Sequence, residues 1–487
     1  MHHSSISTRS PGRETSRPLP TGRSCLIAYS RPWRAIMTRK GSSFLIAVRT
    51  ASRPGTRRGK PTPSLSRRWF TAKYDGEIAS TGFSVLRGAN GIEPKYLYYK
   101  AISHDFVSAL TGEQYGVSYP AVKDEQVKSQ PLELAPTNEQ RRIVEKIEAL
   151  FDEIDAGIQS LQTARTTLGL YRQSLLKSAF EGRLTADWRA QNADKLEAPK
   201  TLLARIQKER DTRYKAALAT WQEDLAKWRA DGENDKKPTK PKRPAWPDKF
   251  DFSELRDLPD SWAYLPFEAL AWSVQNGISA KPDKKGPLKI FRISAVRPMA
   301  FGLEDFRRIT DPDGSFEDYR LSEGDLVFTR YNGSRDYVGV SAMYRGDGSH
   351  VYPDKLIRCE IRSDILNPAF LEAATNCGES RAYIERRIRT TAGQSGVSGG
   401  DIKAMPVPIC SPAEQAQITR ILGARLDAAT RLEAEIDAAL TRADALRQSI
   451  LKKAFSGQLV PHDLSDEPAA ALLAQIKAEK SKTPRTK

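Results

Sequence analysis

Residues 330–335 concentrate polar side chains of several chemical types directly after an apolar stretch. The strand-like residues 325–330 run into Tyr331-Asn332-Gly333-Ser334-Arg335, which offers phenol, amide, hydroxyl and guanidinium groups together. Such a set suits hydrogen bonding to base edges and phosphate oxygens of DNA. The alternative is an ordinary Asn-Gly hairpin turn that carries polar side chains. The residue types alone favour neither the DNA contact nor the turn. The predicted DNA contacts are Arg292, Arg330, Tyr331, Asn332, Ser334, Arg335 and Gln394.

Three catalytic activities can be weighed against the sequence. A methyltransferase needs an Asn-Pro-Pro-aromatic turn; Asn367-Pro368-Ala369-Phe370 differs by one residue and opens a predicted helix, where Asn-Pro is ordinary capping. A nuclease needs paired carboxylates and a lysine, but Pro353-Asp354 is followed by Glu360-Ile361-Arg362. The Gly-x-x-x-x-Gly-Lys-Ser/Thr phosphate loop of an ATP motor does not occur. We therefore expect a non-catalytic chain that binds no metal or cofactor of its own.

A segment of nearly fifty residues occurs twice, with an offset of 275 residues. Residues 172–184 and 447–459 are identical at nine of thirteen positions, and Glu139-Gln140 matches Glu414-Gln415. Apolar or small residues recur every three or four positions in both copies, which predicts two long helices with heptad stripes. The alternative is two unrelated core helices. Because each helix has a single apolar stripe, we expect the two copies to pair with each other.

The positive charge is concentrated at the start of the chain. Of the formal net charge of +17, residues 1–68 carry +14, from thirteen Arg, two Lys and one Glu. This segment is expected to be a disordered, basic leader, although a basic arm can also bind nucleic acid. The four cysteines show neither metal-type spacing nor a disulfide pattern, and no apolar run is long enough to span a membrane. Both features predict a cytoplasmic protein.

Seven segments follow from these patterns. Short strand-like runs and two helical stretches predict a compact mixed domain at residues 258–410, and a polar helix from Leu202 to about Trp228 precedes a Lys/Pro-rich linker. The first four predicted segments are a leader (1–68), a first-domain remnant (69–135), a first long helix (136–184) and a charged helical insert with its linker (185–257). They are followed by a second domain (258–410), a second long helix (411–459) and a tail (460–487).

The sequence resembles the specificity subunits of type I restriction–modification systems. The resemblance is carried by the duplicated helix, by its two Ala-Phe-x-Gly-x-Leu ends, by Leu258-Pro259-Asp260-Ser261-Trp262, and by the Gly-Asp strand at residues 324–330. It covers roughly residues 69–487.

The resemblance implies an α+β fold with two target-recognition domains joined by a pair of long antiparallel coiled-coil helices. Each domain would read one half of a split DNA site, and the helix pair would set the spacer between the halves. The implied partners are double-stranded DNA, methylation subunits and a restriction subunit, which would use S-adenosylmethionine, ATP and magnesium. The implied docking residues at the helix ends are Lys177, Phe180, Leu184, Lys452, Phe455 and Leu459. The alternative is that Phe180 and Phe455 only close the core of the helix pair.

The N-terminal part departs from the family pattern. Residues 1–68 contain no Leu-Pro-x-x-Trp start and no Gly-Asp strand, and family character begins near Tyr74. We therefore expect a truncated first recognition domain behind an unrelated or out-of-frame leader. An alternative function is a coiled-coil scaffold with degenerate recognition domains, which holds partners but reads little DNA sequence.

Overall fold

The structure is a computed structural model, and its compact parts divide the chain into two units. The first unit contains residues 1–154 and 444–487, and the second contains residues 155–443. The structure describes residues 44–47, 66–69, 84–112, 122, 124–232, 237–243, 246, 251–283, 285–311, 314–391 and 393–482.

None of the helices in this described part combines the length and the apolar character that crossing a membrane requires.

The first unit combines a small sheet and short helices with the start of the first long helix and the end of the second. Its strands form one antiparallel sheet in the order β2-β1-β3, and the boundary predicted at residue 68 falls within β2. The elements are β1 (Phe44–Ala47), β2 (Ser66–Trp69), β3 (Ser84–Leu86), α1 (Pro94–Ile102), α2 (His104–Gly112), α3 (Asp124–Lys128) and, later in the chain, the helix Ala469–Lys482.

The duplicated segment forms two helices of equal length. Helix α4 spans Thr137–Phe180 and its counterpart spans Pro412–Phe455, so that each has 44 residues and both ends differ by the same offset. The glycine that follows each helix has left-handed backbone geometry, with a φ of 74° at Gly182 and 72° at Gly457. Glycine adopts this conformation without the steric cost that a Cβ adds, which explains why both helices end there.

The two long helices run antiparallel in each unit. In the first unit, Ile143 and Ile147 near the start of one helix share a buried cluster with Leu451 near the end of the other. In the second unit, Leu175 near the end of the first helix shares a cluster with Leu422 near the start of the second. The predicted pairing is confirmed.

Not every position of the predicted stripe is buried. Tyr171, Leu432 and Leu446 are between 42% and 51% exposed. Two helices that pack against each other cover only a narrow stripe on each, so residues at the edge of the heptad pattern remain in solvent.

The second unit is a mixed domain together with the end of the first long helix and the start of the second. Its helices are α5 (Ala186–Gln191), α6 (Pro199–Ala230), α7 (Phe267–Leu270), α8 (Pro368–Thr375), α9 (Gly378–Arg387) and α10 (Gly399–Lys403). The second long helix is α11 (Pro412–Phe455), and the last helix of the first unit, Ala469–Lys482, is α12. Its strands are β4 (Ala263–Pro266), β5 (Ser273–Asn276), β6 (Leu288–Phe291), β7 (Val296–Arg297), β8 (Ala300–Phe301), β9 (Phe306–Ile309), β10 (Leu326–Thr329), β11 (Tyr331–Asn332), β12 (Ser341–Met343), β13 (His350–Val351), β14 (Leu356–Glu360), β15 (Arg389–Thr391), β16 (Gln394–Gly396) and β17 (Pro406–Ile409).

A four-stranded antiparallel sheet in the order β12-β10-β14-β5 forms the centre of this domain. The four residues of β10 are all buried, as expected for a strand covered on both faces. One face contributes Leu326 and Phe328 to the largest core cluster, which also contains helices α8 and α9, and the other contributes Val327 to a second cluster with Tyr344 and Tyr352. The predicted α+β class is confirmed.

His350 makes the stability of the second unit dependent on pH. Its side chain is buried, its ring stacks on Phe291 with centroids 4.5 Å apart, and the Tyr344 hydroxyl lies 2.9 Å from Nδ1. Burial, and secondarily Lys289, lowers the pKa of His350, although Asp347 opposes this.

We expect acidification from pH 7 to pH 5 to destabilise the second unit. Because the folded pKa lies below the unfolded one, the unfolded chain binds the proton first. The stabilisation is therefore complete above the unfolded pKa and is lost as the pH falls, by at most about 1.4 kcal/mol per pH unit. Urea unfolding followed by hydrogen exchange in β6 and β13 measures this loss. The His350→Gln variant should show a shallower pH dependence, and an unchanged slope would contradict the assignment.

Candidate nucleic-acid interface

The predicted polar segment begins where the chain passes from the central sheet to a smaller one. Arg330 lies between β10 and β11: its backbone N–H donates to Lys355 O at 2.9 Å, and its carbonyl oxygen accepts the Val397 N–H at 3.0 Å. The residue before β14 and the residue after β16 therefore fix the two sides of the Arg330 backbone. The segment that follows starts from a position that the core of the domain determines.

The smaller sheet brings two parts of the predicted contact set together. Its order is β11-β16-β15, so Tyr331 and Asn332 pair with the strand that contains Gln394. A Cβ at Gly396 would lie 2.3 Å from the Tyr331 ring, so only glycine lets the ring cross this strand. Gln394 is exposed, and Tyr331 and Asn332 are half-buried.

The Arg330 side chain covers the aromatic ring of its neighbour. Its guanidinium carbon lies 4.9 Å from the centroid of Tyr331, and Nη1 makes a long contact of 3.4 Å to Asp354 O. Nε is buried and has no hydrogen-bond partner among the described residues. A charged, planar donor group that is held on a ring and incompletely paired is suited to an anionic ligand.

The turn after β11 is not the Asn-Gly hairpin that was considered as the alternative. Neither Asn332 nor Gly333 has a positive φ, which a two-residue type I′ hairpin requires at both positions. Instead, Asn332 Oδ1 accepts the Ser334 N–H at 3.0 Å, and a 3₁₀ turn follows at Arg335–Tyr337. This use of Oδ1 leaves the Asn332 Nδ2 group directed elsewhere. Arg335 is anchored by a 2.9 Å bond from Nη2 to Glu385 O of α9.

Arg292 lies apart from these residues. It follows β6 in a different sheet, is 49% exposed and contacts Asp305 at 3.6 Å. Its assignment as a DNA contact stays a prediction.

Basic residues that the sequence interpretation missed lie in and beside the small sheet. Strand β15 presents Arg389, Thr390 and Thr391, all exposed, and Arg386 is exposed at the end of α9. The Arg297 guanidinium covers the Tyr337 ring at 4.5 Å, beside the 3₁₀ turn. The run Arg386-Arg387-Ile388-Arg389 was a visible signal in the sequence, because it directly precedes the segment with Gln394. Tyr331 and Arg389 both pair with Gly396 and Gln394 is two residues away, so these three share one face, whereas Asn332 pairs with Ser395 and lies on the other face. We call Arg330, Tyr331, Arg335, Arg389 and Gln394 the polar sheet patch.

The predicted partner residues differ in exposure. Phe180 is 5% exposed and its ring lies 5.2 Å from that of Phe370, while the Phe455 ring is half-buried at 5.1 Å from that of Tyr96. Lys177 and Lys452 are exposed, and Leu184 and Leu459 are half-buried. Both phenylalanines therefore pack on residues outside the helix pair, which differs from the alternative that they only close the core of that pair, and the lysines are exposed. Their role in partner binding stays a prediction.

The catalytic alternatives gain no support from the geometry. Asn367 caps α8, because its side chain accepts the N–H groups of Ala369 and Phe370. Within the described residues, no group of three or more His, Cys, Asp or Glu could hold a metal ion.

Comparison with known proteins shows what this chain is similar to. Residues 69–162 match the family model described as type I restriction modification DNA specificity domain. The chain is 37% identical to the EcoKI specificity subunit of Escherichia coli K12 over 228 residues, which is 45% of this chain and 49% of that protein. It is 30% identical to the StySPI specificity subunit of Salmonella potsdam over 45% of this chain and 50% of that protein. The aligned part thus spans about half the length of these two relatives.

Longer but weaker likenesses cover most of the chain. The EcoDI specificity subunit of Escherichia coli is 22% identical over 84% of this chain and 82% of that protein. A solved chain from a study of complex assembly and conformational transition of the type I R-M system has a TM-score of 0.55 at 19% identity, covering 85% of this chain and 82% of that chain. This last likeness shows the fold alone. Together with the duplicated helices, the matches show that this chain is similar to the specificity subunits of type I restriction–modification systems and that residues 69–162 match their DNA specificity domain.

Proposed function

We propose that this chain recognises DNA sequence for a type I restriction–modification complex and has no catalytic activity of its own. The observation that carries the proposal is the polar sheet patch, in which amide, phenol and guanidinium groups from two separate parts of the chain lie on one small sheet. Amide side chains can pair with the edge of adenine, and arginine can bind guanine or phosphate.

Within the patch, position favours a division of labour. Gln394 is exposed at the first position of the central strand and carries both a donor and an acceptor, so it suits a base edge. Arg389 is exposed in the neighbouring strand and suits a phosphate, since a phosphate contact needs positive charge more than geometry.

The expected partners of this chain are double-stranded DNA, methylation subunits and a restriction subunit. In this proposal, the partners supply catalysis with S-adenosylmethionine, ATP and magnesium. In the second unit, the exposed Lys177, Leu170 and Tyr171 on α4 offer a surface for docking, and in the first unit the exposed Lys452 offers a separate contact. The cytoplasmic location stays a prediction.

Selection of bound sequences from random duplexes, with the methylation subunit present, tests the proposal. Enrichment of a split motif, or of one half-site, is the expected result. Uniform binding that weakens steeply with salt would instead favour the scaffold alternative. Mapping of methylated adenines in the host, with and without this gene, gives an independent reading.

The Gln394→Ala variant is expected to bind the selected half-site about 5- to 150-fold more weakly and to accept other bases at one position, because one base contact contributes about 1–3 kcal/mol. Arg389→Ala is the matched control from the next strand. It should weaken binding to all sequences alike and reduce the dependence on salt. Equal motifs for wild type and Gln394→Ala would remove Gln394 from the reading surface.

A further inference from the structure

The duplication extends from the long helices into the domains that they support. Helices α1 and α8 both begin with proline, at Pro94 and Pro368. In each copy, a buried glutamine of the long helix accepts the N–H of the residue before that proline. Gln140 accepts the Glu93 N–H at 2.8 Å, and Gln415 accepts the Asn367 N–H at 2.9 Å.

The aromatic contacts repeat in the same way. Tyr96 packs on Phe455, as Phe370 packs on Phe180. The two local environments can therefore be compared residue by residue.

In the second unit, this environment is completed by residues 258–266. The Trp262 indole N–H donates to Glu414 Oε2 at 2.9 Å, and the strand that follows pairs with β17. Pro259 covers the helix end so closely that a Cβ at Gly182 would lie 2.3 Å from Pro259 Cγ. A tryptophan, a proline and a strand thus seal the start of one long helix and the end of the other.

In the first unit, the described residues line a cavity of about 440 Å³ at the same place. Glu139, the counterpart of Glu414, borders it and is 4% exposed. Its Oε1 contacts His462 at 3.0 Å, while no described residue donates a hydrogen bond to its Oε2. Other lining residues are Tyr96, Leu134, Ile143 and Phe455.

The extended segment beside the cavity has no strand partner among the residues that the structure describes. Residues 131–134 correspond to β17, whose residues are all buried. Leu132 and Leu134 are instead only half-buried, and within the described residues neither uses its backbone N–H in a hydrogen bond. Such an edge can pair with a strand from another polypeptide, and the neighbouring cavity can accept a side chain of that strand.

We propose that this cavity and edge form a docking site for an extended Leu-Pro-x-x-Trp segment of another polypeptide, which would add a strand along residues 131–134. The tryptophan enters the cavity and its indole N–H binds Glu139 Oε2, as Trp262 binds Glu414. The sequence contains Leu-Pro-x-x-Trp only once, at residues 258–262, and that copy is already engaged in the second unit. The inference rests on the internal duplication and not on the proposed DNA recognition.

A fluorescein-labelled peptide with the sequence of residues 256–267 tests the proposal with the full-length chain. Fluorescence anisotropy is expected to show saturable binding. A peptide with alanine at the position of Trp262 should bind at least about tenfold more weakly, because a buried tryptophan anchor contributes about 2 kcal/mol or more. Absence of saturable binding, or equal binding of the two peptides, would overturn the proposal.

Proline substitutions locate the site. In β17, Pro406 and Pro408 have no N–H, so the ladder with β4 depends on Val407 and Ile409. The corresponding pair here is Leu132 and Leu134. We expect Leu134→Pro to weaken binding at least about tenfold, since it removes one ladder donor and part of the cavity wall.

Glu133→Pro is the backbone control, because it corresponds to Pro408 and keeps the carbonyl that accepts the Tyr96 hydroxyl. It also removes the carboxylate that pairs with Lys100 at 2.5 Å, so Glu133→Ala, which removes that carboxylate alone, is measured beside it. Binding should stay within about twofold of wild type, as no ladder donor is lost. Thermal unfolding of both variants verifies that they fold. Equal affinity of folded Leu134→Pro and Glu133→Pro would place the peptide elsewhere and overturn the proposal.

Discussion

The Glu414→Ala variant is expected to lose about 3–5 kcal/mol of unfolding free energy in the second unit, since removal of one member of a buried ion pair leaves its partner uncompensated. Glu414 is fully buried and accepts hydrogen bonds from Thr185 at 2.7 Å, Arg189 at 2.6 Å and Trp262 at 2.9 Å. The Arg189 side chain is only 17% exposed, so water replaces the lost carboxylate poorly. Urea titration followed by hydrogen exchange in β4 and β17 measures the loss, because the two units need not unfold together.

The duplication provides the control. Glu139→Ala removes the corresponding carboxylate of the first unit. Its partner His462 is 68% exposed, so water can hydrate the imidazole once the carboxylate is gone. We expect a loss of at most about 1 kcal/mol there. Equal losses for the two variants would show that Glu414 stabilises the chain in some way other than through Arg189 and Trp262.

The role of Glu414 also shows what the sequence could predict and what it could not. Both long helices were predictable from local signals that occur twice, with starts within one residue, whereas the predicted segments 136–184 and 411–459 extend four residues beyond the helix ends. Helix α8 was predictable for the same reason, since Asn367-Pro368 is a cap followed by a first-turn proline. The interaction of Glu414 with Trp262 joins residues 152 positions apart, and no local pattern encodes it.

The candidate DNA contacts divide along the same line. Tyr331 to Arg335 are adjacent in sequence, so their proximity was certain, but their pairing with Gln394 depends on β16, which lies in a stretch that reads as a Gly/Ser loop. Arg389 was not predicted as a contact, because strand β15 has three exposed residues and no alternation of apolar and polar side chains that would indicate a strand. Arg292 was grouped with the others on residue type, whereas its position in a different sheet is a property of the tertiary fold.

The Phe180→Ala variant is expected to lose about 3–5 kcal/mol of unfolding free energy in the second unit, as large-to-small substitutions of core phenylalanines do. Phe180 is 5% exposed and belongs to the largest core cluster, where its ring meets that of Phe370. Phe455→Ala is the matched control: that ring is half-buried between Tyr96 and the Lys100 ammonium group, 5.3 Å away, so the first unit should lose less. Hydrogen exchange in α8 and α1 follows the two units separately.

Phe180→Leu separates packing from partner binding, because it keeps most of the buried apolar volume and should cost less than about 1.5 kcal/mol. If Phe180 only packs against the domain, this variant binds the methylation subunit as wild type does, while Lys177→Glu, on the exposed face one turn earlier, weakens binding. A loss of binding in a stable Phe180→Leu variant would instead give the aromatic ring itself a place in the subunit interface. Because the contact with Phe370 is repeated by Phe455 and Tyr96, we expect packing to account for both phenylalanines and the exposed lysines to account for docking.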